Sequence, residues 1–382
     1  MSVAVRARTV VEGAWKSVFR QRFGFGFRSP VLSSARSSEA PSRQPTMGQI
    51  DDVLEEARMG GVGGVEIGGA GISGVGISGV ARGGGGRLEE LASGVFAYVQ
   101  PDGGWCLNNA GLVVAPDGSS VLVDTAATEA RARALRAAVL SVAPEAPRTL
   151  VNTHFHGDHA FGNFVFPEAL VVGHERTRTE MLGAGLHLTG LWPDVCWGDI
   201  RLVPPALTFT GRLTLHVGDM AAELLHVGPA HTSNDTVVWL PEQRVLFAGD
   251  VVMNGATPFV PMGSVSGSLA ALAALRELGP VTVVPGHGPV GGPGLLDDAE
   301  EYLRYVRGLA REGMAAGLGP VEIARGADLG AYGRWLDSER LVPNLHRAIL
   351  EERGAAPGSP VDMTALFGEM IEFHGGVPAC HA

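Results

Sequence analysis

From Leu88 onward, apolar and polar positions alternate in short runs. Val95-Phe96-Ala97-Tyr98-Val99, Ala110-Gly111-Leu112-Val113-Val114 and Val121-Leu122-Val123-Asp124 read as strands, with the turn pair Asp117-Gly118 between the last two. Residues 128–142 switch to a helical period, with Thr128 as N-cap and Pro144 as stop. Strand patterns return at 149–153 and 168–173, and a helix is expected over 174–184. Residues 186–205 have no clear period and read as an insert. Strands at 213–217, 220–227, 235–240 and 244–249 follow, then a helix at 267–278, a strand at 281–284, and helices near 297–316 and 338–353. Two similar halves meet near residue 200. That order favours two sheets packed face to face with helices outside.

The stretch Thr153-His154-Phe155-His156-Gly157-Asp158-His159 changes the picture from fold to chemistry. It places three imidazoles and one carboxylate in six residues, directly after an apolar strand. Imidazole and carboxylate are the usual ligands of divalent metals such as zinc. Residues two apart on a strand point the same way, so His154 and His156 leave the strand end together. Asp158 and His159 then turn toward a second point. Two ions suit that arrangement better than one. Three further candidates stand beside glycine or proline after apolar runs: His231, Asp250 and His287. Those neighbours let the chain turn sharply and bring each side chain to a shared edge.

Composition narrows the class. At 382 residues, with 45% hydrophobic and 18% charged, the chain has ample material for a large core. The net charge of −11 argues against general nucleic-acid binding. Cys106, Cys196 and Cys380 are too few and too far apart for a disulfide framework, which fits a reducing cytoplasm. No run reaches the ~18 apolar residues that cross a membrane. Residues 1–87 are expected to be a disordered basic and glycine-rich extension, whose arginine bias is similar to that of a transit segment. Gly69-Ala70-Gly71-Ile72-Ser73-Gly74 has the GxGxxG spacing of a dinucleotide-binding turn. The glycines that follow would each cost roughly 1 kcal/mol inside the helix it requires, so the tract reads as a linker. Residues 88–355 are expected to be the catalytic domain and 356–382 a flexible tail, with His374 and His381 in it. His174 reads as a helix cap, while His187, His216, His226 and His346 have no motif support.

The cluster together with His231, Asp250 and His287 resembles the metallo-β-lactamase superfamily, over about residues 88–300. The resemblance implies an α+β fold, an αββα four-layer sandwich with a dinuclear metal site at one edge. It implies a first ion on His154, His156 and His231, and a second on Asp158, His159 and His287, with Asp250 bridging both. Asp158 and Asp250 are the implied catalytic carboxylates. Two Zn2+ ions are the default, with Fe or Mn possible. The lactamases of the broadest class carry Cys at the place of Asp250 and Lys at the place of Met253. Antibiotic hydrolysis is therefore not expected.

Gln100–Asn109, Thr189–Asp194 and Gly228–Asp235 look like the corresponding segments of the thioesterase/cyclases of bacterial type II (aromatic) polyketide pathways. That likeness implies closure of a ring and release of the product from its acyl carrier protein. Such a metal pair activates water and polarises a carbonyl oxygen. Trp192, Trp197, Phe259 and Met262 are the expected lining of an apolar substrate pocket. A glyoxalase-II-like thioesterase or lactonase of the same fold is the first alternative. A non-hydrolytic di-iron redox protein is the second. Neither a nucleic-acid nor a membrane partner is expected.

Overall fold

The computed structural model describes residues 85–143 and 145–382. Residues 1–84 of the expected extension, with the GxGxxG tract, lie outside the described residues. Strands β1 (Arg87–Ala92), β2 (Val95–Val99), β3 (Ala110–Val114), β4 (Ser120–Val123), β5 (Thr149–Val151), β6 (Leu170–His174) and β7 (Leu207–Phe209) form one sheet in that spatial order. Pairing is antiparallel as far as β4 and parallel from there on. The second sheet takes β8 (Arg212–Val217), β9 (Met220–His226), β10 (Thr236–Leu240), β11 (Val245–Met253) and β12 (Thr282–His287), with only β11 and β12 parallel.

The period of two along each strand builds the layers. Val95, Ala97 and Val99 of β2, Val121 and Val123 of β4, and Val151 of β5 join one buried cluster. Leu224, Val238, Leu240, Val245 and Phe247 of the second sheet belong to the same cluster, which is therefore the seam between the sheets. The intervening Tyr98, Leu112, Leu122 and Leu150 face the other way, against Ala132, Leu135 and Val139 of helix α1 (Glu129–Val142). On the opposite outer face, Leu225, Val237, Trp239 and Leu246 pack with Leu272, Leu303 and Leu345. Each fully buried Val or Leu stabilises by about 1.5–3 kcal/mol, so a one-residue slip of any strand would turn a core face to solvent. Four layers follow: helix, sheet, sheet, helix.

Short α2 (Gly157–Ala160) continues from the ligand cluster, α3 (Glu175–Ala184) follows β6, and α4 (Leu188–Leu191) lies in the 186–205 insert. Helices α5 (Val265–Glu277), α6 (Gly294–Ala315), α7 (Pro320–Gly326) and α8 (Leu341–Glu352) follow the second half. As expected, Thr128 caps α1 by accepting from Arg131 N, and His174 caps α3 by accepting from Arg176 N.

Three expectations need correction. Strand β1 starts at Arg87, the last residue of the expected extension, because Arg87 pairs with Val99 of β2. Asp250 is not at a strand end; β11 runs through it to Met253, with a register break at Gly249. Residues 356–382 are not simply a flexible tail. They contain α9 (Met363–His374), capped by Asp362, with Leu366 and Met370 buried. Met363, Leu366, Phe367 and Met370 recur at helical spacing, an apolar stripe that the short, polar-flanked segment conceals. Among the described residues no helix is long and apolar enough to cross a membrane.

Candidate metal centre

The parallel strands β4, β5 and β6 and the end of the second sheet deliver the candidate ligands to one edge. His154 and His156 follow β5, Asp158 and His159 lie in α2, His231 follows β9, Asp250 is in β11, and His287 ends β12. All seven are buried. Their ligand atoms fall into two groups, His154, His156, His231 and Asp250 in one and Asp158, His159 and His287 in the other, each within 4.8 Å.

In the first group, His154 Nε2 and His156 Nδ1 are 3.1 Å apart, and His231 Nε2 is 2.9 Å from the same His156 nitrogen. Asp250 Oδ2 stands 3.4 Å from His231 Nε2 and 3.8 Å from His154 Nε2. In the second, Asp158 Oδ2 lies 3.3 Å from His287 Nε2, and Asp250 reaches across to His287 at 3.5 Å and to His159 Nε2 at 3.0 Å. Two ligands on one tetrahedral zinc, with bonds near 2.0–2.1 Å, stand roughly 3.3 Å apart. The donor set fits. Asp250 Oδ1 and His159 Nε2 face each other at 3.0 Å without hydrogen-bond geometry and have no other partner, a costly condition that a cation would relieve.

Electrostatics points the same way. Burial, with the neighbouring imidazoles, holds His154 and His156 well below the usual histidine range; burial takes His231 down to about 4. These rings are neutral, the state that ligates metal. Burial also opposes charge on His159 and His287, yet Asp250 with Asp124 and Asp158 lifts the first well above its ordinary value. Asp250 and Asp158 take His287 up to about 9. Burial works against ionising Asp158 and Asp250, but the adjacent histidines hold both carboxyls below the usual range. The second group therefore gathers positive charge around two carboxylates, where a bound cation would supply it instead.

Further residues orient the ligands. Asp124, at the end of β4 in left-handed backbone (φ 61°), accepts from His159 Nδ1 at 2.8 Å and from Thr153 N and Oγ1 at 2.8 and 2.7 Å. Such outer carboxylates fix the tautomer and raise the basicity of a ligating imidazole. Asp235 receives Ala230 N, Thr232 N and Thr232 Oγ1, which pins the turn carrying His231. His287 Nδ1 donates to the Gly103 and Gly104 carbonyls, and Asn109 Nδ2 ties that loop to Pro285 and Gly288. Gly286 is obligatory: a Cβ there would stand 1.8 Å from Asp250 Oδ1. Asp124 and Asp235 were not identified from the chain alone. Their signal is an acidic residue at a strand boundary, directly after β4 for Asp124 and directly before β10 for Asp235, which many surface turns share. His187 lies beside the site as well, 6.1 Å from His156 between ring centres, with Nε2 buried and unpartnered.

The expected pocket residues form a packed aromatic cluster rather than open walls. Trp192, Trp197 and Phe259 are buried and Met262 partly so. They gather around Trp105, which stands 5.4 Å from Trp192 and 5.3 Å from Phe259. The Trp197 indole donates to the Trp192 carbonyl. The cluster touches the metal edge at both ends: the Phe259 carbonyl accepts from His231 Nδ1, and Trp105 follows the Gly104 carbonyl that holds His287.

Residues 103–287 match the family described as the metallo-beta-lactamase superfamily. The chain is 28% identical to the 2,4-dinitroanisole O-demethylase subunit alpha of Nocardioides sp. over 45% of its own length and 46% of that protein. It is 24% identical to a Bacteroides fragilis metallo-beta-lactamase type 2, over 59% of this chain and 88% of the lactamase. It is 26% identical to the Bos taurus acyl-coenzyme A thioesterase MBLAC2, over 37% of this chain and 56% of the thioesterase. The chain thus spans about half the length of the first and third of these relatives.

Proposed function

We propose that this chain, whose residues 103–287 match the metallo-β-lactamase superfamily, hydrolyses acyl thioesters with apolar, aromatic acyl groups. More specifically, we propose that it is a thioesterase/aldol cyclase that closes a ring and releases an aromatic polyketide from an acyl carrier protein. The observation that carries the reading is the aromatic cluster of Trp105, Trp192 and Phe259 set between His231 and His287. An apolar acyl group belongs beside such rings. A relative 26% identical over 37% of this chain bears the name acyl-coenzyme A thioesterase, which supports the choice of bond.

When bound, a metal pair supplies Lewis acidity and an activated water near neutral pH. His154, His156 and His231 would hold one ion and Asp158, His159 and His287 the other, with Asp250 shared. This chain's residues do the rest. Asp124 and the Gly103 and Gly104 carbonyls keep His159 and His287 in single orientations. The Asp158 side chain is slightly more exposed than that of Asp250 and lies 3.3 Å from His287 Nε2. The aromatic cluster excludes water from one flank.

A lactam substrate needs a cation for its carboxylate. At the relevant place stands Met253, buried, with its sulfur receiving Arg340 Nη1. Arg340 itself is committed to Asp337 and to the Trp105 ring, 3.9 Å away. The same argument disfavours a small acidic thioester.

The test is thiol release from an aromatic thioester and from a lactoyl thioester, by metal-loaded protein with and without chelator. Chelator-sensitive release favouring the aromatic substrate is expected. Preference for the lactoyl substrate would replace this reading with the glyoxalase-like one. Absence of release from both, with two ions bound, would remove thioester hydrolysis and leave lactones or di-iron redox chemistry.

A further inference from the structure

Helix α9 ends at Gly375 in left-handed backbone (φ 85°), and residues beyond it turn back over the aromatic cluster. Pro378 is buried, and its carbonyl accepts the Trp192 indole N–H at 2.7 Å. Cys380 and Ala382 pack on the cluster that holds Trp105, Trp192 and Phe259. Arg131 donates to the His381 carbonyl. The Cys380 thiol meets that of Cys106, which follows Trp105 in the loop holding His287.

The segment therefore stands where an acyl group would stand, on the rings that flank His231 and His287. Its attachment is sparse. Among the described residues, no backbone–backbone hydrogen bond ties 377–382 to the rest of the chain. Val377 is 47% exposed, and Ala379 and His381 are exposed as well. Beyond Gly376, which bonds back to Ile371 and His374, the segment is held by the Trp192 and Arg131 side chains and the Cys380–Cys106 contact, and such sparse attachment belongs to the low end of local opening energies.

We propose that residues 376–382 are a displaceable strap across the acyl pocket, which sets the acyl size the site accepts by giving up its place beside Trp192 and Trp105. This rests on the apolar-acyl reading above for the identity of the occupant, while the rings and the segment covering them are read from the structure.

The experiment compares the full chain with one lacking 376–382, both metal-loaded. The first readout is binding of the apolar dye anilinonaphthalene sulfonate, which involves no thioester. A strap closed nine-tenths of the time weakens a competitor about tenfold, so the shortened chain should bind dye about tenfold more tightly. Its kcat/KM for an aromatic thioester should rise about tenfold relative to that for acetyl thioester. Equal dye affinity and an unchanged ratio would overturn the strap.

The intact protein provides the check should the shortened chain fold poorly. Maleimide labelling of Cys380 is followed against exposed Cys196 as internal reference. Saturating dye should raise that ratio about tenfold as the strap leaves. An unchanged or lowered ratio would overturn the proposal. Dye effects as expected, without turnover of any thioester, would keep the strap and discard the thioesterase. Thioester turnover without the dye effects would do the reverse.

Discussion

Among the described residues two histidine clusters stand apart, and only one of these two is suited to a metal. His174 and His226 stack face to face, with ring centres 3.8 Å apart and planes 10° apart. Their ring nitrogens bond backbone groups: His174 to Thr210 O and Arg176 N, His226 to Ser233 O. Burial, then the neighbouring ring, pushes His226 down to about 3, and burial lowers His174 too. The five imidazoles at the sheet edge converge instead on shared carboxylates, and Asp250 Oδ1 and His159 Nε2 meet at 3.0 Å without hydrogen-bond geometry. Proximity of histidines does not distinguish the two clusters. Unspent donor atoms and buried negative charge do.

The comparison breaks most sharply at Asp250, the carboxylate shared by both ligand groups. Asp250→Ala should lower bound metal from about two ions per chain to less than one and reduce thioester turnover roughly 10^3-fold. Metal analysis and steady-state rates check this, and an unchanged metal content would refute the sharing.

The stacked pair should show itself in acid. His226 has a folded pKa below its unfolded value, so its stabilising contribution is full above about pH 6.5 and is lost as pH falls toward 3. His226→Gln should cost about 1 kcal/mol at pH 7. Relative to the unaltered protein it should recover about 3 kcal/mol on going to pH 4, where the chain with His226 must hold a buried neutral ring against protonation. Denaturant midpoints at the two pH values measure the difference, and parallel acid profiles would show that the stack does not titrate.

The smallest effect separates ligands from the groups that orient them. Asp124→Asn removes charge behind His159 while keeping its shape, and should weaken metal binding about 10–100-fold. Titration against a competing chelator reads this directly. Full affinity in the variant would reduce Asp124 to a purely structural partner of Thr153.

Much of this site is legible along the chain because its core is local. His154, His156, Asp158 and His159 share one strand end and one short helix, so their spacing alone places them together. His231, Asp250 and His287 are readable because each follows a continuous apolar run. Strand β1 escaped because Arg87-Leu88-Glu89-Glu90-Leu91-Ala92 is an edge strand with no residue fully buried, and edge strands carry weak alternation. Helix α9 escaped because its apolar stripe has meaning only once the surface it covers exists.

The sequence by itself determined which side chains could ligate, and the periods that make sheets and helices, since both depend on residue type and near neighbours. Only the tertiary structure decided that residues separated by more than a hundred positions share one edge, that Asp124 stands behind His159, and that the aromatic rings beside the metal edge are covered by residues 376–382. Those relations arise from the packing of two sheets and from long-range hydrogen bonds, and no local spacing encodes them.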